Sequence, residues 1–253
     1  MSGHNKWSSI KHKKGREDAR RGKIFSRLGK EITLAARESG GDEDMNPRLR
    51  TAIASAKEAN MPNDNIERAI KKGTGELGGA ALEELIYEGY APGGVAIIVS
   101  CLSDNRNRTA ASIRSYFTKH NGNLAANGSV SWMFNRKARF VIEGENADEE
   151  QILMALMDAG AEAEDISSSD GTAEILAAPE EFGKVADALK TAAIPIASSG
   201  VSLIPENYVT VTDETVARQV DRMTDALEED EDVQAVYTNF DVSDDVAEKM
   251  AAE

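Results

Sequence analysis

Positively charged side chains crowd into the first thirty residues of the chain, where ten lysines and arginines stand against two acidic residues. Their chemistry is that of phosphate binding, because such side chains neutralise a polyanionic backbone and release its condensed counterions. The first part is an arm that carries Lys6, Lys11, Lys13 and Lys14, together with Trp7 and His12. The arm is polar and lacks apolar periodicity, so we expect it to be flexible until it binds a partner.

A helical stripe of cations follows the arm. At about 100° per residue, five cations of a helix predicted over residues 16–39 share an arc of about 80°. The stripe comprises Arg16, Arg20, Lys23, Arg27 and Lys30. The neighbouring apolar face comprises Ile24, Leu28, Ile32 and Ala35, whereas Arg21 and Leu34 fall outside this separation. One edge of the helix is therefore predicted to pack on a core, and the other to present positive charge to a nucleic acid.

Three further signals are less specific. The indole of Trp7 either stacks on a base or folds back as a hydrophobic anchor for the arm. Arg68, Lys71 and Lys72 lie on a later helix and are suited to phosphate contacts. A second positive group comprises Arg106, Arg108, Arg114 and Lys119, with Arg136, Lys137 and Arg139. This group either extends the nucleic-acid footprint or forms ion pairs with nearby acids such as Glu88.

The rest of the chain has the opposite charge. Residues 140–253 hold 5 basic and 29 acidic side chains, which gives the whole protein its net charge of -15. The acidic run from Glu228 to Asp232 is predicted to be solvated at the end of a helix. An acidic half would repel ribosomal RNA and so orient the molecule on it, or would face basic proteins.

The sequence contains few histidine and cysteine residues, which commonly carry out catalysis. There are three histidines, two of them in the arm, and one cysteine, Cys101, in an apolar run that favours a buried thiol. Gly73 to Gly78 matches the GxGxxG dinucleotide motif, but a helix precedes it and a strand follows, so we interpret it as a linker. The sequence predicts a protein that is not an enzyme and uses no cofactor, metal or small-molecule substrate.

The chain shows no apolar run of the roughly 18 residues that a membrane span needs, and its start lacks the apolar centre of a signal peptide. We therefore expect a cytoplasmic protein without a membrane partner.

Periodicity predicts helices over residues 16–39, 47–59 and 63–72, and then strands over 84–90 and 95–102, a helix from Asp104 and a strand over 129–134. A βαββαβ series follows over 139–204, and a helix over 213–229 and a strand over 233–239 end the chain. Because ββαβ plus αβ completes one two-layer sheet, the intervening series is predicted to be an insertion. The fold class is α+β, with an N-terminal helical domain and two α/β-sandwich (ferredoxin-like) domains. The domains are predicted at residues 1–78, at 79–135 with 206–253, and at 136–205.

Long motifs run through the chain: GHNKWSSIKHKK, RRGKIFSRLGKEI, NPRLRTAI, MPNDNIERAIKKGTG, YEGYAPGGVAIIV, LSDNRNRT and GSVSWMF. They closely resemble the YebC/PmpR family, which includes a mitochondrial translational activator of cytochrome c oxidase. The resemblance implies three domains, a cytoplasmic location in bacteria and no known enzymatic activity. It also implies one of two roles: a transcriptional regulator that binds DNA, or a factor that assists ribosomes on difficult sequences such as consecutive prolines.

Of these roles, the sequence favours binding of ribosomal RNA or the ribosome, because shape and backbone recognition suit a mobile cationic arm. A DNA-binding transcriptional regulator is the main alternative, and an acidic scaffold protein is a third. The sequence does not determine the oligomeric state.

Overall fold

The structure is a computed structural model that describes Trp7 and residues 20–78, 81–169 and 171–251, apart from the side chains of Arg20, Arg21 and Ala251. The described chain divides into two units. The first unit comprises residues 20–129 and 218–238, and the second comprises Trp7, 130–217 and 239–251.

The first unit begins with helices α1 (Arg20–Ser39), α2 (Pro47–Glu58) and α3 (Asn63–Gly73). Asn46 fixes the start of α2, because its side chain accepts a hydrogen bond from the backbone N–H of Leu49 and Pro47 occupies the first turn. The same side chain donates to the carbonyls of Ala35 and Gly40, each at 2.8 Å, and so ties α2 to the end of α1. The shared core of the three helices includes Ile32, Ala35, Leu49, Ile53 and Ile66.

Helix α1 buries two faces rather than one. Leu34, which fell outside the apolar face predicted from the sequence, is 6% exposed and packs with Leu82 and Leu102. Ile24, which was assigned to that face, is 38% exposed. The prediction was wrong for both residues. For Leu34 the reason is that a single helical wheel cannot show a second layer over the C-terminal half of the helix.

A four-stranded antiparallel sheet completes the first unit. Its strands are β1 (Glu83–Tyr90), β2 (Ala96–Ser103), β3 (Asn123–Ala125) and β9 (Val233–Thr238), in the order β3-β1-β2-β9. Helix α4 (Arg106–Lys119) packs against β1, β2 and β3. Because β9 pairs with β2, the chain returns to this sheet after more than a hundred residues.

One strand was predicted at the wrong residues. We predicted the third strand over residues 129–134, but β3 lies at Asn123–Ala125 and residues Ser131–Met133 form a 3-10 turn. The chain reverses at Asn121, whose φ of 58° is one that asparagine tolerates, and it pairs with β1 immediately afterwards.

Gly89 of β1 lies in close contact with β3 and α4. A Cβ atom built at this position would overlap the carbonyl oxygen of Asn123 and the ring of Phe117, both closer than 3.0 Å. We predict that Gly89→Ala lowers the free energy of unfolding by about 1–3 kcal/mol, measured by urea denaturation, because a packed core resists an added methyl group. Gly200→Ala is the control, since nothing lies within 4 Å of its built Cβ. Equal stability of the two variants would contradict the prediction.

The second unit contains β4 (Phe134–Glu143), α5 (Glu149–Ala159), β5 (Asp165–Ser169), β6 (Thr172–Ala177), α6 (Phe182–Thr191) and β7 (Ser198–Pro205). The strands form an antiparallel sheet in the order β5-β6-β4-β7. This βαββαβ topology is the ferredoxin-like arrangement predicted from the sequence. Phe140 of β4 stacks on Phe182 of α6 with ring centroids 4.9 Å apart, and Ile152 and Leu156 of α5 are buried in the same core.

A small parallel pair of strands, β8 (Val209–Val211) and β10 (Phe240–Val242), also belongs to the second unit. Helix α7 (Glu214–Glu228) follows β8, and its residues from Arg218 belong to the first unit. Helix α8 (Asp244–Ala251) follows β10. The sequence analysis missed β8 and β10, because strands of three residues are too short to show an alternating pattern. It also missed the short helix α8.

The α+β class with an N-terminal helical region followed by antiparallel sheets is thus confirmed. The domain boundaries given above remain a prediction. Among the residues that the structure describes, none of the helices combines the length and the apolar character needed to cross a membrane.

Candidate nucleic-acid interface

The cationic face of α1 is the first candidate, and three of its side chains are described. Lys23, Arg27 and Lys30 follow one another at spacings of four and three residues and so share one face of the helix. In the fold this face meets the acidic segment, by which we mean residues Glu228–Asp232 at the end of α7 and before β9. Both elements lie in the first unit.

Contacts between the stripe and the acidic segment strengthen toward the C-terminal end of the stripe. Lys23 makes a loose ion pair, with its Nζ 3.8 Å from a carboxylate oxygen of Glu229, and the Glu229 side chain is 73% exposed. Arg27 donates a hydrogen bond to the main-chain carbonyl of Glu228. Burial lowers the pKa of Arg27, and the nearby Glu228 carboxylate opposes that shift. Lys30 donates to Asp232 Oδ1 at 2.8 Å and to the carbonyl of Glu231 at 2.8 Å.

Asp232 is the centre of this contact. Its carboxylate receives hydrogen bonds from Lys30, from Arg108 Nη2 at 3.0 Å, from Thr109 Oγ1 at 2.8 Å and from Ser103 Oγ at 3.0 Å. Burial by itself raises the pKa of Asp232, but the hydrogen bonds from these four donors outweigh it and hold the pKa well below its ordinary value. Asp232 is therefore a paired, buried carboxylate that joins α1, β2 and the start of α4.

The prediction that the run Glu228–Asp232 is solvated was wrong for Asp232, which is 5% exposed. The error has a physical cause: the partner lysine lies 202 positions away along the chain, beyond the range of any local pattern. The sequence analysis also missed Ser103 and Thr109, since short hydroxyl side chains carry no charge signal.

The fold brings together two cationic groups that the sequence analysis kept apart. Lys30 and Arg108 bind the two oxygens of the same Asp232 carboxylate. Arg108 also pairs with Asp104 at 3.0 Å, yet its side chain remains 53% exposed. Arg106 at the start of α4 is exposed and makes no ion pair with any residue that the structure describes.

Helix α3 presents three cations without an acidic partner among the described residues. Arg68, Lys71 and Lys72 are exposed, and none of them makes an ion pair or side-chain hydrogen bond within the described part of the chain. By contrast, Arg48 of α2 binds three carboxylates, those of Glu31, Glu38 and Glu84, at 2.8–2.9 Å.

Gly73 positions the last turn of α3. A Cβ built there would come closer than 3.0 Å to the carbonyl of Thr33 and to Ala36, so glycine permits close packing on α1. The last turn of α3, with Lys71 and Lys72, therefore lies beside the C-terminal half of α1.

Other members of the second positive group are paired. Lys137 forms an ion pair with Glu164, and Arg139 forms one with Glu174. These pairs agree with the interpretation that neighbouring acids neutralise part of the group. Arg114 and Lys119 on α4 are exposed.

Trp7 lies in the second unit and is 5% exposed. Its ring packs against Phe240 with centroids 5.2 Å apart, and its backbone N–H donates to Asp241 Oδ1 at 3.3 Å. Of the two alternatives given above, this environment is that of the hydrophobic anchor, and it leaves little of the indole surface for stacking on a base.

The remaining candidates lie at the start of the chain. Lys6, Lys11, His12, Lys13, Lys14 and Arg16 lie outside the described residues, as do the side chains of Arg20 and Arg21.

No cluster of three or more histidine, cysteine, aspartate or glutamate side chains has an arrangement that would hold a metal ion within the described ranges. Burial, with smaller contributions from Asp230 and Asp232, raises the pKa of the Cys101 thiol to about 12. A thiol in this state is a poor nucleophile at neutral pH.

Two family models together cover most of the chain. The model described as TACO1/YebC protein N-terminal domain matches residues 5–76, and that of the TACO1/YebC second and third domain matches residues 82–240. The chain belongs to the TACO1/YebC family. The family predicted from the motifs is thereby confirmed.

Members of the TACO1/YebC family from several bacteria are similar to this chain over their full length. A protein of Desulfosudis oleivorans is 54% identical over 98% of this chain and 100% of its own. One of Halothermothrix orenii is 49% identical, with all of both chains covered. Both are named probable transcriptional regulatory proteins.

A solved structure shows the same fold. The crystal structure of a conserved hypothetical protein from Aquifex aeolicus is similar with a TM-score of 0.80 and 47% identity. The similarity covers 90% of this chain and 93% of the other.

Proposed function

We propose that this protein is a non-enzymatic regulator that binds nucleic acid through its helical region. The observation that carries the proposal is a set of exposed cations on α3, Arg68, Lys71 and Lys72, which form no ion pair with any described residue. Residues 1–75 hold 17 basic and 10 acidic side chains in a protein whose net charge is -15, so positive charge is concentrated in this region. The names of the relatives as probable transcriptional regulatory proteins support the class of regulator.

The contacts divide the α1 stripe into residues with different roles in this proposal. Lys23 is available to a phosphate, because its glutamate partner is exposed and 3.8 Å away and a polyanion can replace it. Lys30 is held by a buried carboxylate, and releasing it would leave Asp232 with only the half-exposed Arg108 as its charge partner. We therefore assign phosphate contacts to Lys23 and the α3 cations, and a mainly structural role to Lys30.

The proposed ligand is ribosomal RNA, and the proposed role is to support translation of difficult sequences such as proline-rich ones. Sequence-specific reading of DNA usually places the N-terminal residues of a recognition helix against base edges. In α3 that end carries the exposed acids Asp64 and Glu67, which repel phosphates, whereas the cations lie toward the C-terminal end. This distribution suits contact with a phosphate backbone, which is how structured RNA is mainly recognised.

A DNA-binding transcriptional regulator is the second candidate. The connection between α2, which ends at Glu58, and α3, which begins at Asn63, is about as short as that of a helix-turn-helix motif. The names of the relatives also favour this alternative.

Crosslinking in cells that produce the protein, followed by sequencing of both the bound RNA and the bound DNA, tests the proposal. Enrichment of ribosomal RNA from the peptidyl-transferase region is the expected result. Discrete peaks at promoters without such enrichment would favour the transcriptional role. No enrichment of either nucleic acid over a control protein would overturn the proposal as a whole.

A further inference from the structure

Helix α5 of the second unit carries apolar residues on two faces. Ile152 and Leu156 are buried in the core of the ferredoxin-like sheet. Leu153, Met154 and Met157 are 47%, 64% and 70% exposed. At about 100° per residue these three side chains share an arc of about 100° on the side away from the core. We call this surface the methionine face.

Acidic side chains of α5 border the methionine face. Between Phe140 and Gly183 the chain holds 13 acidic residues and no lysine or arginine. On α5 itself, Glu149 and Asp158 are exposed and lie on either side of the apolar arc, and Glu150 lies at its N-terminal end. The face is therefore an apolar stripe with a negatively charged rim.

Charge and shape together restrict what can cover this face. Exposed apolar patches with a polar rim are typical of interaction sites, and methionine side chains adapt to varied apolar partners. Nucleic acid and anionic membrane surfaces would be repelled by the rim. A second copy of the chain would bring two like-charged rims together, which opposes self-association.

We propose that the methionine face binds a cationic amphipathic segment of a partner protein. The apolar side of such a segment covers Leu153, Met154 and Met157, and its lysines and arginines pair with the acidic rim. This inference is independent of the nucleic-acid proposal, since the residues concerned lie in the other unit and the partner is a polypeptide. The acidic part of the molecule would then bind a positively charged partner, whereas the helical region would bind a negatively charged one.

The test uses the full chain and a fluorescein-labelled 18-residue peptide of leucine and lysine whose leucines all fall on one helical face. We expect binding by fluorescence anisotropy that weakens as salt is added, because the rim contributes screened attraction. A variant with Leu153→Ser, Met154→Ser and Met157→Ser is expected to bind at least about tenfold more weakly. Its melting temperature is expected to fall by only a few degrees, because the three side chains lie outside the core and serine lowers helix propensity slightly.

Two controls make the test specific. The variant Met45→Ser with Leu77→Ser removes exposed apolar side chains from the other unit, 78% and 57% exposed, and is expected to bind like wild type. A scrambled peptide of the same composition is expected to bind weakly, because it presents no continuous apolar face.

The proposal is overturned if the triple variant retains wild-type affinity or if the scrambled peptide binds equally well. It is also overturned if the face instead mediates self-association in sedimentation velocity, or binding to vesicles of phosphatidylglycerol, and the triple variant abolishes that activity.

Discussion

Replacing Arg68, Lys71 and Lys72 with glutamine is expected to weaken binding to a fragment of ribosomal RNA on the order of 100-fold at about 0.1 M salt. In the proposed complex each of these exposed cations neutralises one phosphate, so its loss would keep a counterion bound to the RNA. The slope of the logarithm of the association constant against the logarithm of the salt concentration should become shallower by about 2. Each phosphate contact contributes about 0.7 to this slope on single strands. Fluorescence anisotropy over a series of salt concentrations measures both quantities.

A matched variant controls for the change in net charge. Lys184→Gln, Lys190→Gln and Arg222→Gln remove the same number of charges from exposed positions outside the helical region. This variant should keep both the affinity and the salt dependence of wild type. If the two triple variants lose affinity equally, binding reflects net charge alone and the assignment to α3 is wrong.

Replacing Asp232 with asparagine is expected to lower the free energy of unfolding by about 2–4 kcal/mol. The substitution removes the charge that Lys30 and Arg108 share, and it leaves the lysine, whose side chain is only 23% exposed, without its partner. The expected loss in the free energy of unfolding is at the low end for a broken buried ion pair, because the Arg108 side chain is 53% exposed and can be hydrated in the variant. Urea denaturation followed by circular dichroism is the appropriate measurement, because both tryptophans, Trp7 and Trp132, lie outside this unit.

Glu229→Gln is the control for Asp232→Asn, because it alters a neighbouring acid with a loose, exposed ion pair. We expect a change within about 0.5 kcal/mol. A similar loss in both variants would show that the buried carboxylate has no special role.

The dependence of stability on pH distinguishes the same two variants. Folding lowers the pKa of Asp232, so its contribution is complete above the unfolded-state value of about 4 and is lost as the pH falls toward the folded-state value. Wild type should therefore lose stability below about pH 5 more steeply than Asp232→Asn, whereas Glu229→Gln should follow wild type. Parallel curves for wild type and Asp232→Asn would contradict the assignment.

The elements that depend on local periodicity were well predicted from the sequence. The end of α1 at Ser39, the start of α2 at Pro47 and the βαββαβ order of the second unit follow from helical and strand periods, capping residues and turns. The errors occurred where the signal was short or not local. Strands β3, β8 and β10 have three residues each, and Leu34 packs on a layer that one helical wheel cannot show.

The amino-acid sequence by itself determined the charge asymmetry, the family and the types of most elements, because composition, motifs and periods are properties of the chain alone. Which cations remain available was decided only by the tertiary structure. Lys30 and Arg108 meet Asp232 from 202 and 124 positions away, so the stripe that a helical wheel shows as uniform is in fact paired at one end. The fold likewise turned Leu153, Met154 and Met157 outward, because the core of the sheet has room for only one face of α5.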